Sequence, residues 1–125
     1  MPMTNVARNV IATALTGGAF DPFDNANAYI GVGNSSTGFD PAHTDLIGTN
    51  ERMPMKPGKP ARSANMILFE SRFLDADGVF AWNEFGVFNA ATGGEMLNRI
   101  VTSVGTKPDD EIWDVEIIIT VERGT

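Results

Sequence analysis

Apolar and polar positions alternate most cleanly near the C-terminal end of the chain. Trp113, Val115, Ile117, Ile119 and Val121 point one way, while Asp114, Glu116, Thr120 and Glu122 point the other, with Ile118 the exception. This period of two predicts a half-buried strand over residues 112–121. The same alternation runs through 64–73, where Ile67, Phe69 and Phe73 share a face with Asn65 and Ser71, and Met66, Leu68, Glu70 and Arg72 face away. Residues 79–88 are apolar on both faces, which predicts a central strand. A loop over 89–94, ending in glycine, then leads to a partner strand over 96–104. Earlier in the chain, Tyr29-Ile-Gly-Val between turn formers predicts a strand over 28–32.

The start of the chain has a different period. Val6, Val10 and Ile11 recur at i, i+4 and i+5, and Leu15 extends the stripe, so residues 4–15 are expected to form a helix. Thr4 is placed to cap its start, and Gly17-Gly18 would end it. A helix of about 12 residues is marginal alone in water. It needs a surface to lie on, either the sheet of its own chain or a neighbouring subunit.

The remaining segments are turn-like. Residues 19–25 carry two aromatic anchors, Phe20 and Phe23, and 34–41 are rich in turn formers. The stretch 44–52 is short and polar, with Leu46 and Ile47 as its apolar points. Residues 53–62 hold Pro54, Pro57, Gly58 and Pro60, which excludes a central strand and predicts an exposed loop or irregular edge presenting Lys56, Lys59 and Arg62. Thirteen glycines and seven prolines favour many short strands over long helices. The expected fold is mainly β: an antiparallel β-sandwich or small open barrel with a short N-terminal helix or arm. The arm would span 1–27 and the β domain 28–125, within a single domain.

Composition narrows the functional classes. A chain of 125 residues is long enough for a real core. It has no cysteine, so neither disulfides nor thiolate metal sites hold it. A net charge of −7 argues against a nucleic-acid binder and against anionic membranes, both of which call for a basic surface. The first fifteen or so residues lack the apolar core of a secretion signal, so the protein is expected to start in the cytoplasm where it is made.

The strand 79–88 contains one carboxylate, Glu84. If Phe88 pairs with Glu95 across the hairpin, Gly86 faces Leu97, Glu84 faces Arg99 and Trp82 faces Val101. Facing residues share a side of the sheet. Glu84 and Arg99 are therefore expected to form a structural ion pair among apolar neighbours, because an unpaired buried charge is costly. A catalytic acid at Glu84 would need a second carboxylate or histidine, and no spacing supplies one. His43 stands alone in a polar loop. Asp75-Ala-Asp77-Gly78 continues into Val79, Phe80, Ala81 and Trp82 rather than into calcium ligands, and so reads as a turn. Gly31-Val-Gly33 is too short for a dinucleotide motif. No catalytic, metal-binding or cofactor-binding residue is expected, and the protein is not expected to be an enzyme.

Several segments occur in a suggestive order: Tyr29-Ile-Gly-Val-Gly33, Asp45-Leu46, Glu51-Arg52, Phe80-Ala-Trp-Asn-Glu-Phe-Gly-Val-Phe-Asn89, Gly94-Glu-Met-Leu-Asn-Arg99 and Trp113-Asp-Val-Glu-Ile117. Together they resemble the N-terminal domains of phage tail-collar fibres and the small phage structural proteins related to them. The resemblance covers about 28–121 and is most specific from Glu84 to Phe88 with the turn to Arg99. It implies a virion protein that forms a homo-oligomer, often a trimer, and docks on other virion proteins. No long shaft or receptor-binding tip follows the domain, which shifts the expectation towards a collar or fibre adaptor, or a decoration protein cementing the capsid. Val6, Val10, Phe20, Phe23, Met53, Met55, Lys56, Lys59 and Arg62 are the candidate contact residues, with packing on the chain's own core as the alternative for the apolar ones. A carbohydrate-binding β-sandwich for host attachment is the alternative function.

Overall fold

The computed structural model describes residues 3–122. Its elements are α1 (Asn5–Leu15), β1 (Tyr29–Gly33), β2 (Asn50–Pro54), β3 (Ala61–Ser63), β4 (Met66–Phe73), β5 (Ala81–Phe88), β6 (Met96–Thr106) and β7 (Trp113–Thr120). The strands make two antiparallel sheets, one in the order β2-β1-β5-β6 and the other β3-β4-β7. No closed barrel forms, and the architecture is a β-sandwich with a short N-terminal helix.

The core lies between the sheets because each strand turns one set of alternate residues inward. Ile30 and Val32 of β1 and Phe85 and Val87 of β5 meet Phe69 and Phe73 of β4 and Val115, Ile117 and Ile119 of β7. Each such side chain, fully buried, contributes about 1.5–3 kcal/mol relative to exposure. The Trp82 ring sits edge-on to Phe73 and Trp113, with centroids 5.0 and 4.9 Å away, and its Nε1 donates to the Gly78 carbonyl. β5 has a neighbour on each side, as its apolar faces predicted.

β7 alternates as read from the sequence: Val115, Ile117 and Ile119 are buried, whereas Asp114, Glu116 and Ile118 are exposed. Val121 lies past the end of the strand and is exposed. The segment read as short and polar ends in a strand instead, since β2 pairs with β1 along the sheet edge. An edge strand tolerates this polarity and its terminal Pro54 because only one side of it must hydrogen-bond.

Helix α1 docks by its first half only. Ala7 and Val10 are buried, whereas Ile11 and Leu15 of the expected stripe are 41% and 82% exposed. The helix is held at its N-terminus. Thr4 Oγ1 accepts from the Ala7 N–H and donates to the Met96 carbonyl, while the Thr4 N–H donates to the Leu97 carbonyl. Just before it, Met3 forms an antiparallel bridge to Asn98 on the outer edge of β6.

The hairpin register differs from the expected one. Glu84 faces Val101, Gly86 faces Arg99 and Phe88 faces Met96, so β6 is slid two residues along β5 over the middle of the hairpin. The cause lies in the loop. The Asn89 N–H donates to the Glu95 carbonyl and the Glu95 N–H to Asn89 Oδ1, so Glu95 meets Asn89 instead of Phe88, which shortens the loop and slips the register by one residue. A register irregularity then follows between Val87 and Phe88.

Candidate functional site

The outer face of the four-stranded sheet carries a second, smaller assembly. Over the middle of the hairpin the slip is two residues, an even number, so Glu84 and Arg99 stay on one side as diagonal neighbours, whereas Trp82 and Leu97, expected beside them, turn into the core between the sheets. Gly86 stands opposite Arg99, and a Cβ there would press on the Asn98 carbonyl and on Met96. Arg99 Nε reaches Glu84 Oε1 at 2.9 Å, and both side chains are wholly buried.

The pair organises more than itself. Glu84 Oε1 also accepts the Ile47 N–H at 2.9 Å, and Oε2 accepts the N–H groups of Ser35 at 3.1 Å and Gly48 at 2.8 Å. Arg99 Nη1 donates to the carbonyls of Thr37 at 2.8 Å and Gly38 at 3.4 Å. One ion pair thus holds two stretches of chain, around 35–38 and 46–48, down on the sheet. Leu46 seals the assembly by packing with Phe88, Met96 and Tyr29.

Glycines make room for this cover. A Cβ on Gly31 would lie 2.8 Å from the Phe88 ring and 3.1 Å from Leu46 Cδ1. One on Gly48 would collide with Asn34 Oδ1. The charge state follows from the contacts. Burial pushes the Glu84 carboxyl up, but the Ile47 and Gly48 N–H groups, the Arg99 guanidinium and the Ser35 N–H together hold it below its ordinary value. Glu84 is therefore an anion whose two oxygens each receive two donors. Arg99 Nη2 and Asn98 Nδ2 are buried without a partner among the described residues.

Two further cations clamp loops, and neither was singled out as such from the sequence. Arg52 of β2 lies 3.5 Å above the centre of the Phe88 ring and donates to the carbonyls of Ala90 and Gly93, and to Asp45. Lys107 is wholly buried, and its ammonium donates to the carbonyls of Leu74 at 2.7 Å, Asp75 at 3.1 Å and Pro108 at 3.3 Å. It ties the Asp75–Gly78 turn to the turn before β7. In that turn Asp77 Oδ2 accepts the Leu74 N–H, and Gly78 takes a positive φ of 61°. A lysine beside a proline gives no sequence signal of such a cage.

The candidate contact residues are dispersed. Val10 and Met55 are buried, and Phe23 and Met53 pack against the core from partly buried positions. Apolar groups already covered by their own chain offer little surface to a partner. Val6 is half-buried, Phe20 is 40% exposed and Arg62 is exposed. Lys56 pairs with Glu70 at 2.8 Å and Asp114 at 3.4 Å, and Lys59 approaches Glu70 at 4.0 Å. His43 accepts the Asp40 N–H at Nδ1 within its own loop. Among the described residues, no group of three or more acidic, histidine or cysteine side chains is placed to hold a metal. No protein-family model matches the chain, and no curated protein matches it in sequence.

Proposed function

We propose that this is a non-enzymatic structural protein of a phage particle, a tail collar or fibre adaptor or a capsid decoration protein, that works by oligomerising and docking on other virion proteins. The observation that carries the non-catalytic part is the saturation of Glu84. Its two oxygens already accept four N–H groups, and a carboxylate so engaged has no free lone pair with which to move a substrate proton. The phage assignment rests on the resemblance read from the sequence, whose most specific stretch, Glu84 to Arg99, forms the β5–β6 hairpin and the buried pair.

Docking draws support from the exposed apolar side chains. Leu15 and Phe20 in the N-terminal segment are 82% and 40% exposed. The carbohydrate-binding alternative draws less. Trp82 is buried, and both indole N–H groups are spent internally, on the Gly78 carbonyl and on Glu111.

The test is mass spectrometry of purified particles after heads and tails have been separated. The protein should be found in one fraction at a stoichiometry set by the particle's symmetry. Its absence from both would overturn the proposal. Phe20→Asp should reduce incorporation while leaving the isolated fold intact.

A further inference from the structure

The sandwich is open along one side. There β6 and β7 are the edge strands of their sheets, and a groove of about 670 Å³ runs between them. Ile100, Thr102 and Val104 of β6 line it, together with β7 from Trp113 to Ile117, of which Trp113, Val115 and Ile117 pack on the core side. Val104 and Ile112 at its rim are each 53% exposed. β7 is a regular strand of eight residues paired with β4 on one side only, so a full row of its backbone donors and acceptors faces away from the sheet.

The rim is rich in acidic residues. Asp114 and Glu116 line the groove, the acidic run Asp109, Asp110 and Glu111 precedes it, and no lysine or arginine lines it. Asp114 is balanced by Arg72 and Lys56. Glu116 faces Glu70 across the ladder and makes no ion pair among the described residues. The β6 edge already receives a strand-like segment of this chain, at the Met3–Asn98 bridge.

We infer that this mouth is a docking slot for an extended segment of a partner protein with alternating apolar and basic residues, added as a strand to the free edge of β7. Its apolar side chains enter the groove beside Trp113, Val115 and Ile117, and its basic side chains lie on the other face beside Glu116, since Asp114 already holds Arg72 and Lys56. Cross-strand pairs of opposite charge stabilise such an arrangement. A second copy of this chain fits less well, since it brings another acidic edge and a further net charge of −7. The inference deepens the proposal that the protein works through protein contacts, and rests on it for the partner's class.

Trp82 and Trp113 are the chain's two tryptophans and both line the groove, so intrinsic fluorescence reports on it directly. The probe is a blocked peptide of about seven residues, a typical strand length, alternating valine and lysine. The control alternates valine and glutamate. The valine–lysine peptide should give a saturable change in tryptophan emission that weakens with salt, and the control should give none. Glu116→Lys should weaken binding about five- to ten-fold. Val104→Asp should abolish it, and Ile112→Asp serves as a second groove variant should the first not fold, as judged by circular dichroism.

Equal responses to both peptides, no response to either at millimolar concentration, or binding that survives both groove variants would overturn the inference. So would a dimer in sedimentation that Val104→Asp dissociates, which would make a second copy the occupant. These measurements use the isolated protein, so their failure is distinct from a failure to find the protein in particles.

Discussion

A Cβ on Gly33 would lie 2.5 Å from Glu84 Oε2, so the bare backbone at position 33 is what lets the carboxylate stand where four donors converge. Gly33→Ala should therefore strain the carboxylate rather than the backbone. Overpacking of this kind costs about 1–3 kcal/mol. Urea denaturation should show the loss as a lower midpoint with an unchanged slope.

The two partners of the ion pair should not be equivalent. Arg99→Met leaves Glu84 with its three backbone donors. Glu84→Ala strands the arginine and leaves the N–H groups of Ser35, Ile47 and Gly48 without their acceptor. Breaking a buried pair costs about 3–5 kcal/mol. Glu84→Ala should lie at or above the top of that range and Arg99→Met at or below its bottom. Amide hydrogen exchange at Ile47 and Gly48 should accelerate far more in the glutamate variant. Equal losses of stability and of protection would contradict the hub described above.

Acid should weaken the fold through the same group. The Glu84 carboxyl is held below its ordinary value in the folded protein, so the unfolded chain binds that proton more readily. The stabilisation is fully present above the ordinary carboxyl range, about pH 4–5, and is lost as the pH falls through the lowered value. Asp114 acts in the same direction, because its hydrogen bonds to Arg72 lower it too. Denaturation midpoints measured at descending pH should fall in this window. In Glu84→Gln the fall should be shallower, and an unchanged slope would remove Glu84 from the account.

Lys107→Met keeps the length of the buried side chain and removes its ammonium. The carbonyls of Asp75 and Pro108 then lose this donor, and that of Leu74 keeps only the Asp77 N–H. Leaving a buried polar group unsatisfied costs about 1–3 kcal/mol, and these part-buried acceptors place the loss towards the low end. The loss should appear as a reduced urea midpoint, together with faster exchange in the Asp75–Gly78 turn.

Thr4→Ala removes the helix cap and the bond to the Met96 carbonyl at once. A lost cap costs about 1 kcal/mol. Only Ala7 and Val10 bury the helix against the sheet, so α1 should fray. Circular dichroism should record less helix while the strands persist.

The sequence by itself determined the elements whose burial alternates over many residues. Six consecutive inward or outward turns of β7 and the two apolar faces of β5 each leave one arrangement that hides apolar surface, and the structure adopts it. It also put Glu84 and Arg99 on the two arms of one hairpin, but they share a face because the irregularity between Val87 and Phe88 turned the loop's one-residue slip into an even one.

Tertiary structure decided the rest. The register was set by Asn89 and Glu95 closing the hairpin loop, and that bonding has no periodic signature. β2 became a strand because the edge of β1 needed a partner, although its own residues are polar. The helix lost its outer stripe to solvent because only its first turns reach β6. The acceptors of Arg99 and the donors to Glu84 come from backbone far away in sequence. Backbone groups are the same at every residue, so their roles follow from where the folded chain brings them.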